Sequence, residues 1–504
     1  FPEAPESKAG DIAMTVSKSD ETVENGFCAN VRLDPDGQPL FPIPTSDEMD
    51  PLNWSTFRKY ICIGIVVYSY FMLTYFTTAP IPSFAFLEEQ LNITYSQVSW
   101  TFAIPCLGLA VGPLLVGALA DTYGRRPVLI VSTALAVVAS GCTSIKTINF
   151  GGYMVARFFQ GVGAGPSANI GLVIINDVSW QHERGKRVGI WTIAANCGTV
   201  VGGKVGGLLA TSGEWVAYHV TILFAVLFLT QCFFLPETLY PREAVILSES
   251  GQLQSLLLDI PKTLQLGYLN VKKVPGVPHP KPWMTTVQFI RLFNYPTIVI
   301  SVMSYCFFQY WWVTSVTSLV PDAYATDAPN IQGAKLVGLL IGLLAAEVLC
   351  SGALSDKIMV ILTRKNNGKR VPEMRLYLGF PAAIISSIGL VVWGLSVNRN
   401  WHWMTGQVAF FLCRLSRKLD TIFMLTLWAS DALGLQMGNT ILSAYIVDNY
   451  PEYANEVITF YSVIINLSAF INPWFIFYWI EASGYTWTSP LNVLFVPLAS
   501  FLPT

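Results

Sequence analysis

The sequence predicts an all-α polytopic membrane protein: twelve transmembrane helices in two six-helix bundles. Three observations predict it. The chain of 504 residues is 53% hydrophobic and only 12% charged, with mean hydropathy +0.49; a soluble protein carries roughly 25% charged residues. Apolar runs of the roughly 20 residues needed to cross a bilayer begin near Tyr60, Ser96, Val128, Phe150, Val188 and Trp215. After a polar stretch they begin again near Pro296, Leu336, Leu376, Trp403, Val457 and Tyr485. With the amino terminus inside, nearly all lysine and arginine falls in inner loops, and only Lys146, Lys335 and Arg399 lie outside. That is the positive-inside pattern, and it places both termini in the cytoplasm.

Taken in order, residues 1–55 are polar with scattered prolines and acids and read as a disordered cytoplasmic tail. Residues 56–236 form the first six-helix bundle, 237–293 a cytoplasmic central loop and 294–504 the second bundle. Trp54, Arg58 and Lys59 anchor the inner end of the first span. The nine cysteines fall singly, most of them inside apolar runs, so they read as small buried hydrophobes and frame neither a disulfide scaffold nor a metal site. The halves echo each other. Gly117-Ala-Leu-Ala-Asp121 closes the second run and Gly352-Ala-Leu-Ser-Asp356 the eighth; Asp177 closes the fourth and Asp448 the tenth. One stretch breaks the pattern. Residues 413–430 put Arg414, Arg417, Lys418 and Asp420 where the bilayer centre should be. Excising them restores one continuous span, so they read as a retained intron or other gene-model error, the rival being a real re-entrant or outer loop; the unusual end 488–504 reads as another such error.

The most informative turn is Gly117-Ala-Leu-Ala-Asp121-Thr-Tyr-Gly124-Arg125-Arg126-Pro127. Gly117 lets two helices approach, Asp121 stands where a carboxylate can cap the next helix, and Gly124 supplies the turn. Arg125 and Arg126 hold this end inside. The pattern resembles motif A of the major facilitator superfamily, with Thr122 where that family often has a basic residue. Phe-Leu-Pro-Glu-Thr-Leu-Tyr-Pro at 234–241 resembles fungal relatives of its drug:proton antiporter group, and the Trp-Ser lead-in to the first span resembles that of many fungal members of the superfamily.

Charges inside a span cost about 2.5–3.5 kcal/mol on insertion scales, so each needs an account. Arg157 and Gln160 share one helix face, followed by Gly161 and Gly163. They resemble motif B, which implies proton or substrate coupling; the plainer reading is that Arg157 ties neighbouring helices through backbone carbonyls. Gly198, Gly202, Gly203, Gly206 and Gly207 resemble motif C of the antiporting branch, with Gly203 where the motif has proline. Lys204 either faces the cavity, pairs with an acid, or snorkels outward. Glu347, near the middle of the eighth run, is the proton-carrier candidate, or else a structural partner of Lys204 or Arg157. The resemblance implies a cytoplasmic gate built from Asp121, Arg125, Asp177 and Arg184 with their repeats Asp356 and Asp448; the bland alternative is a solvated loop. Tyr305 and Trp312, seven apart, line the cavity with Asn196, Asn439 and Asn466, or else face lipid.

The expectation is therefore a secondary active transporter of a small organic molecule working by alternating access, with proton-coupled efflux favoured. Proton-linked uptake of an organic ion, or a nutrient receptor of transporter build, is the alternative. No cofactor, metal, nucleic-acid partner or enzymatic activity is expected, since the four histidines are scattered and no ATP-binding loop is present. The partners expected are the small-molecule substrate, protons and the lipid bilayer, for a monomer in the plasma membrane, with the vacuolar membrane as the other location.

Overall fold

A computed structural model describes residues 42, 45, 47–242, 245, 279–306, 311–335, 361–362, 365–366 and 454–500. The first span starts as helix α1 (Thr56–Thr78), with the Ser55 hydroxyl accepting from Arg58 N–H at 3.4 Å. Pro80 and Pro82 interrupt it, because proline lacks the N–H a helix needs. The chain passes through a 3₁₀ turn (Ile81–Ser83) and continues as α2 (Phe84–Leu91). Asn92 ends α2 at φ 51°, a left-handed position that asparagine tolerates.

Next, α3 (Tyr95–Tyr123) opens on a capping box between Thr94 and Gln97. Gly124, at φ 108°, turns the chain sharply into α4 (Arg125–Thr143). The Asn149 side chain accepts from Gly152 N–H at 2.8 Å and starts α5 (Phe150–Ala164). The fourth span continues as α6 (Pro166–Val178), and α7 (Gln181–Leu209) and α8 (Trp215–Phe234) follow. The described residues of the second half form α9 (Met284–Leu292), α10 (Pro296–Tyr305), α11 (Trp311–Ala323), α12 (Pro329–Lys335) and α13 (Ala454–Ser500). Seven helical stretches among the described residues are long and apolar enough to span a bilayer, six of them before residue 235.

The first bundle packs α1 along α7, α3 against α5, and α4 against both α5 and α8. Met72, Phe76, Leu109, Ala136 and Phe224 meet at its centre with 2% exposure or less. Two elements of the second half close on it, α13 along α3 and α12 along α7. The sites below lie along these seams.

Three expectations are corrected. The tail read as disordered over 1–55 is folded at its end: Asp50 is fully buried and caps a 3₁₀ turn (Pro51–Asn53). The reason is polar satisfaction, since a buried carboxylate needs partners, and Asp50 finds Thr45 N–H, Leu52 N–H and Arg242. Trp54, expected at the interface, is likewise buried. The last two runs, expected to begin near Val457 and Tyr485, are one helix of 47 residues. Glu347, Asp356, Asn439, Asp448 and the stretch 413–430 lie outside the described residues.

Candidate functional site

The inner end of the first bundle is a network of charges. Arg125 forms an ion pair with Asp177, joining the start of α4 to the end of α6. The cap of α4 is not Asp121, which sits inside α3, one turn before the break. It is Glu237, which follows the sixth span. Its Oε1 accepts from Arg125 N–H at 3.0 Å and its Oε2 from Arg126 N–H at 3.1 Å. Oε1 also accepts from Thr238 and Leu239 N–H, both at 2.9 Å. Burial pushes the Glu237 carboxyl up from its ordinary range, against the pull of these N–H groups and Arg125. Gly124 is obligatory beside it: a Cβ there would lie 2.4 Å from Glu237 Oε2.

Other groups complete the inner surface. Arg126 donates to the Cys232 carbonyl at 2.7 Å, tying α4 to α8. Arg187 donates to the Val178 carbonyl and the Ser179 hydroxyl, both at 2.9 Å, and pairs with Glu183 one turn back. It thereby satisfies the carboxyl end of α6, where helix carbonyls lack partners. Arg184 N–H donates to the Trp180 carbonyl at 3.0 Å, and its Nε has no partner among the described residues. Asp50 and Arg242 pair at 2.9 Å, and Tyr240 donates to Asp47 at 2.9 Å. The residues before the first span and those after the sixth are thus clasped together. Glu237, Arg187, Asp50 and Arg242 escaped the reading of the sequence. The stretch at 234–241 was its one visible signal, quoted as a resemblance without a role for its acid.

In the bundle interior, Arg157 is 2% exposed and forks between helices. Its Nε donates to the Thr101 carbonyl on α3 at 3.2 Å, and its Nη1 to the Phe76 carbonyl on α1 at 3.1 Å and to Gln160 Oε1 at 2.7 Å. Gln160 passes the chain on to Ser140 on α4 at 3.0 Å, and Thr221 on α8 donates to the same Ser140 hydroxyl at 3.1 Å. Five of the six spans therefore meet one polar thread, with no carboxylate among these partners.

On α7, three glycines press on α1. A Cβ at Gly198 would lie 2.2 Å from the Phe71 carbonyl oxygen, one at Gly202 2.6 Å from that of Tyr75, and one at Gly206 1.9 Å from that of Ala79. Gly203 and Gly207 instead face α12 of the other half, where Gly333 meets the Gly203 carbonyl. Gly117 faces Thr285 on α9.

Of the residues expected to line a cavity, Asn196 and Asn466 have described side chains. Asn466 is buried and donates to the Ser462 carbonyl at 2.8 Å, and Asn196 is half-buried on α7. Lys204 is half-buried beside the α12 contact. Tyr305 and Trp312 fall on α10 and α11, and their side chains lie outside the described residues. Aromatic contacts the sequence did not reveal are Tyr70 stacked on Trp191 at 3.8 Å and Trp100 stacked on Trp474, across the two halves, at 4.6 Å.

Comparison with known proteins follows this geometry. Residues 66–473 match the family described as the Major Facilitator Superfamily. The MFS-type transporter oryF of Aspergillus oryzae is 23% identical over 90% of this chain and 90% of its own length. The MFS-type efflux pump MFS2 of Trichophyton rubrum is 26% identical over 88% of this chain and 71% of its own length. Among solved structures, a partially occluded, inward-open form of the xylose transporter XylE from E. coli superposes with a TM-score of 0.60 at 16% identity, covering 89% of this chain and 98% of that one. That likeness is one of fold.

Proposed function

The chain belongs to the major facilitator superfamily, and from that premise we propose that it exports a small organic molecule in exchange for protons. The coarser statement stands on the family alone: this is an integral membrane protein with the major facilitator fold, from a family of transporters rather than enzymes. The observation that carries the export reading is the packing of α7 on α1. Gly198, Gly202 and Gly206 bring the two backbones into contact, and these glycines are the part of the sequence that resembles the antiporting branch. The name of the Trichophyton relative, an efflux pump, supports the same direction.

In this reading the two bundles rock about a central site. The pair Arg125–Asp177, with Asp121, Gly124, Arg126 and Glu237, closes the inner side. Arg157 and Gln160 couple substrate or proton binding to the contacts between helices. Glu347 carries the proton, helped by desolvation in mid-span, and both termini face the cytoplasm of a plasma-membrane protein. Gly203 in place of proline favours the second reading, proton-linked uptake of an organic ion, because no proline bend then enforces the shape of α7.

The test is accumulation of radiolabelled drugs, polyamines and organic acids in a host whose own exporters are deleted. Export lowers accumulation of at least one compound, and a protonophore restores it. Accumulation raised by expression would replace export with uptake, and insensitivity to the protonophore would remove the proton.

A further inference from the structure

A cavity of about 60 Å³ lies at the inner end of the seam between the two halves, between α3 and α6 on one side and α9 and α13 on the other. Two carboxylates line it, Asp121 from α3 and Glu456 from the first turn of α13. The one basic residue lining it, Arg125, is paired with Asp177 and also attracts Asp121, so one guanidinium is shared between two carboxylates and Glu456 has none. The Asp121 side chain makes no hydrogen bond among the described residues and has only the attraction of Arg125, while Glu456 accepts from Gln288 Nε2 at 3.3 Å and from its own N–H. Between like charges in a shared cleft the Coulomb term is unfavourable unless something positive sits between them.

An independent observation gives the same sign. Asn169 is 8% exposed and lines the same cavity. Its Nδ2 donates across the seam to the Thr459 hydroxyl at 2.8 Å, but its Oδ1 has no partner. An unsatisfied buried acceptor costs about 1–3 kcal/mol, and most such groups in native proteins have a partner. Against the two lining carboxylates Arg125 brings a single positive charge, so the cavity is short of positive charge.

We propose that this seam cavity binds a monovalent cation, held by the carboxylates of Asp121 and Glu456 and the side-chain carbonyl of Asn169. The donor set fits that class. A calcium ion needs six to eight oxygens, whereas an ammonium head has three N–H donors for three acceptors, and a partly hydrated alkali ion makes a similar demand. Because its ligands come from both halves, the cation bridges them and favours the closed inner seam; once it leaves, the carboxylates repel and the seam loosens. The inference does not depend on the direction of transport.

The experiment uses the full chain in lipid nanodiscs at pH 7.5 and constant ionic strength. Its thermal unfolding midpoint is titrated with potassium, sodium or methylammonium chloride, each replacing N-methylglucamine chloride, whose cation is too large for the cavity. The expected result is a saturable rise with at least one small cation, its half-saturation weakened tenfold or more in Glu456→Gln and in Asn169→Ala. It should be unchanged in Glu214→Gln, on the opposite face. Response to methylammonium alone assigns the site to an ammonium head, and response to the metals alone to an alkali ion. Should the variants fold poorly, competition in the unaltered protein decides: lowering the pH to 5.5 must raise the cation concentration needed. No response, a response shared by N-methylglucamine, one that survives Glu456→Gln, or one indifferent to pH overturns the proposal.

Discussion

Replacing Glu237 with alanine should loosen the inner end of the first bundle more than any other single cap. The carboxylate accepts four N–H groups, two from the start of α4 and two from its own loop. Hydrogen bonds to a charged group are worth about 1.5–3 kcal/mol each, so the two bonds to α4 together bear about 3–6 kcal/mol if water replaces neither. The oxygens are not equivalent: Oε1 takes Arg125, Thr238 and Leu239, while Oε2 takes Arg126 alone. Glu237→Gln keeps one acceptor oxygen, retains the triple site and loses one bond, about 1.5–3 kcal/mol. Glu237→Asp is shorter by one methylene and cannot span both. The expected order of unfolding midpoints in detergent is parent, then Gln, then Asp and Ala together. The matching readout is proteolysis within residues 235–242, faster in the same order. Equal midpoints for Gln and Ala would refute the two-oxygen division of labour, and an Ala variant as stable as the parent would refute the cap itself.

Four other outcomes are expected. Arg157→Lys should abolish transport while leaving protein in the membrane, since one ammonium cannot reach the Thr101 and Phe76 carbonyls and Gln160 together; transport assay beside surface quantification checks it. Gly206→Ala should reduce folded yield or transport severely, because its Cβ would sit 1.9 Å from a carbonyl oxygen, whereas Gly141→Ala, with nothing within 4 Å, should be neutral; matched expression of the pair decides. Asn92, exposed before Thr94, should accept a glycan, and Asn53, whose amide is engaged by the Thr45 and Asp47 carbonyls, should not; glycosidase mobility shifts read this out, with the reverse pattern inverting the topology. Burial raises the Asp50 carboxyl, but Arg242 and the N–H groups of Leu52 and Thr45 outweigh it and hold it below 3.8. Its contribution should therefore be complete at pH 5 and disappear only as the pH falls through that lowered value, so Arg242→Ala should flatten the acid limb of a stability profile.

The class of fold was legible in the sequence because membrane insertion is decided locally: about twenty apolar residues and flanking charge suffice. Hence the six spans before residue 235 begin within about six residues of where the apolar runs begin. Arg157 with Gln160 was legible for the same reason, both lying on one helical face. Glu237 and the Asp50–Arg242 clasp were not. Their partners lie 112 residues away for Arg125 and 192 for Asp50, and no periodicity relates positions so far apart. Asp121 was assigned the cap of α4 from proximity in sequence, and the fold gave that place to a carboxylate arriving from the far side of the bundle. Tertiary structure alone decided this, because a cap is chosen by which acid reaches the orphan N–H groups in space. The seam at Asp121, Asn169 and Glu456 has the same origin, formed only when helices from the two halves meet.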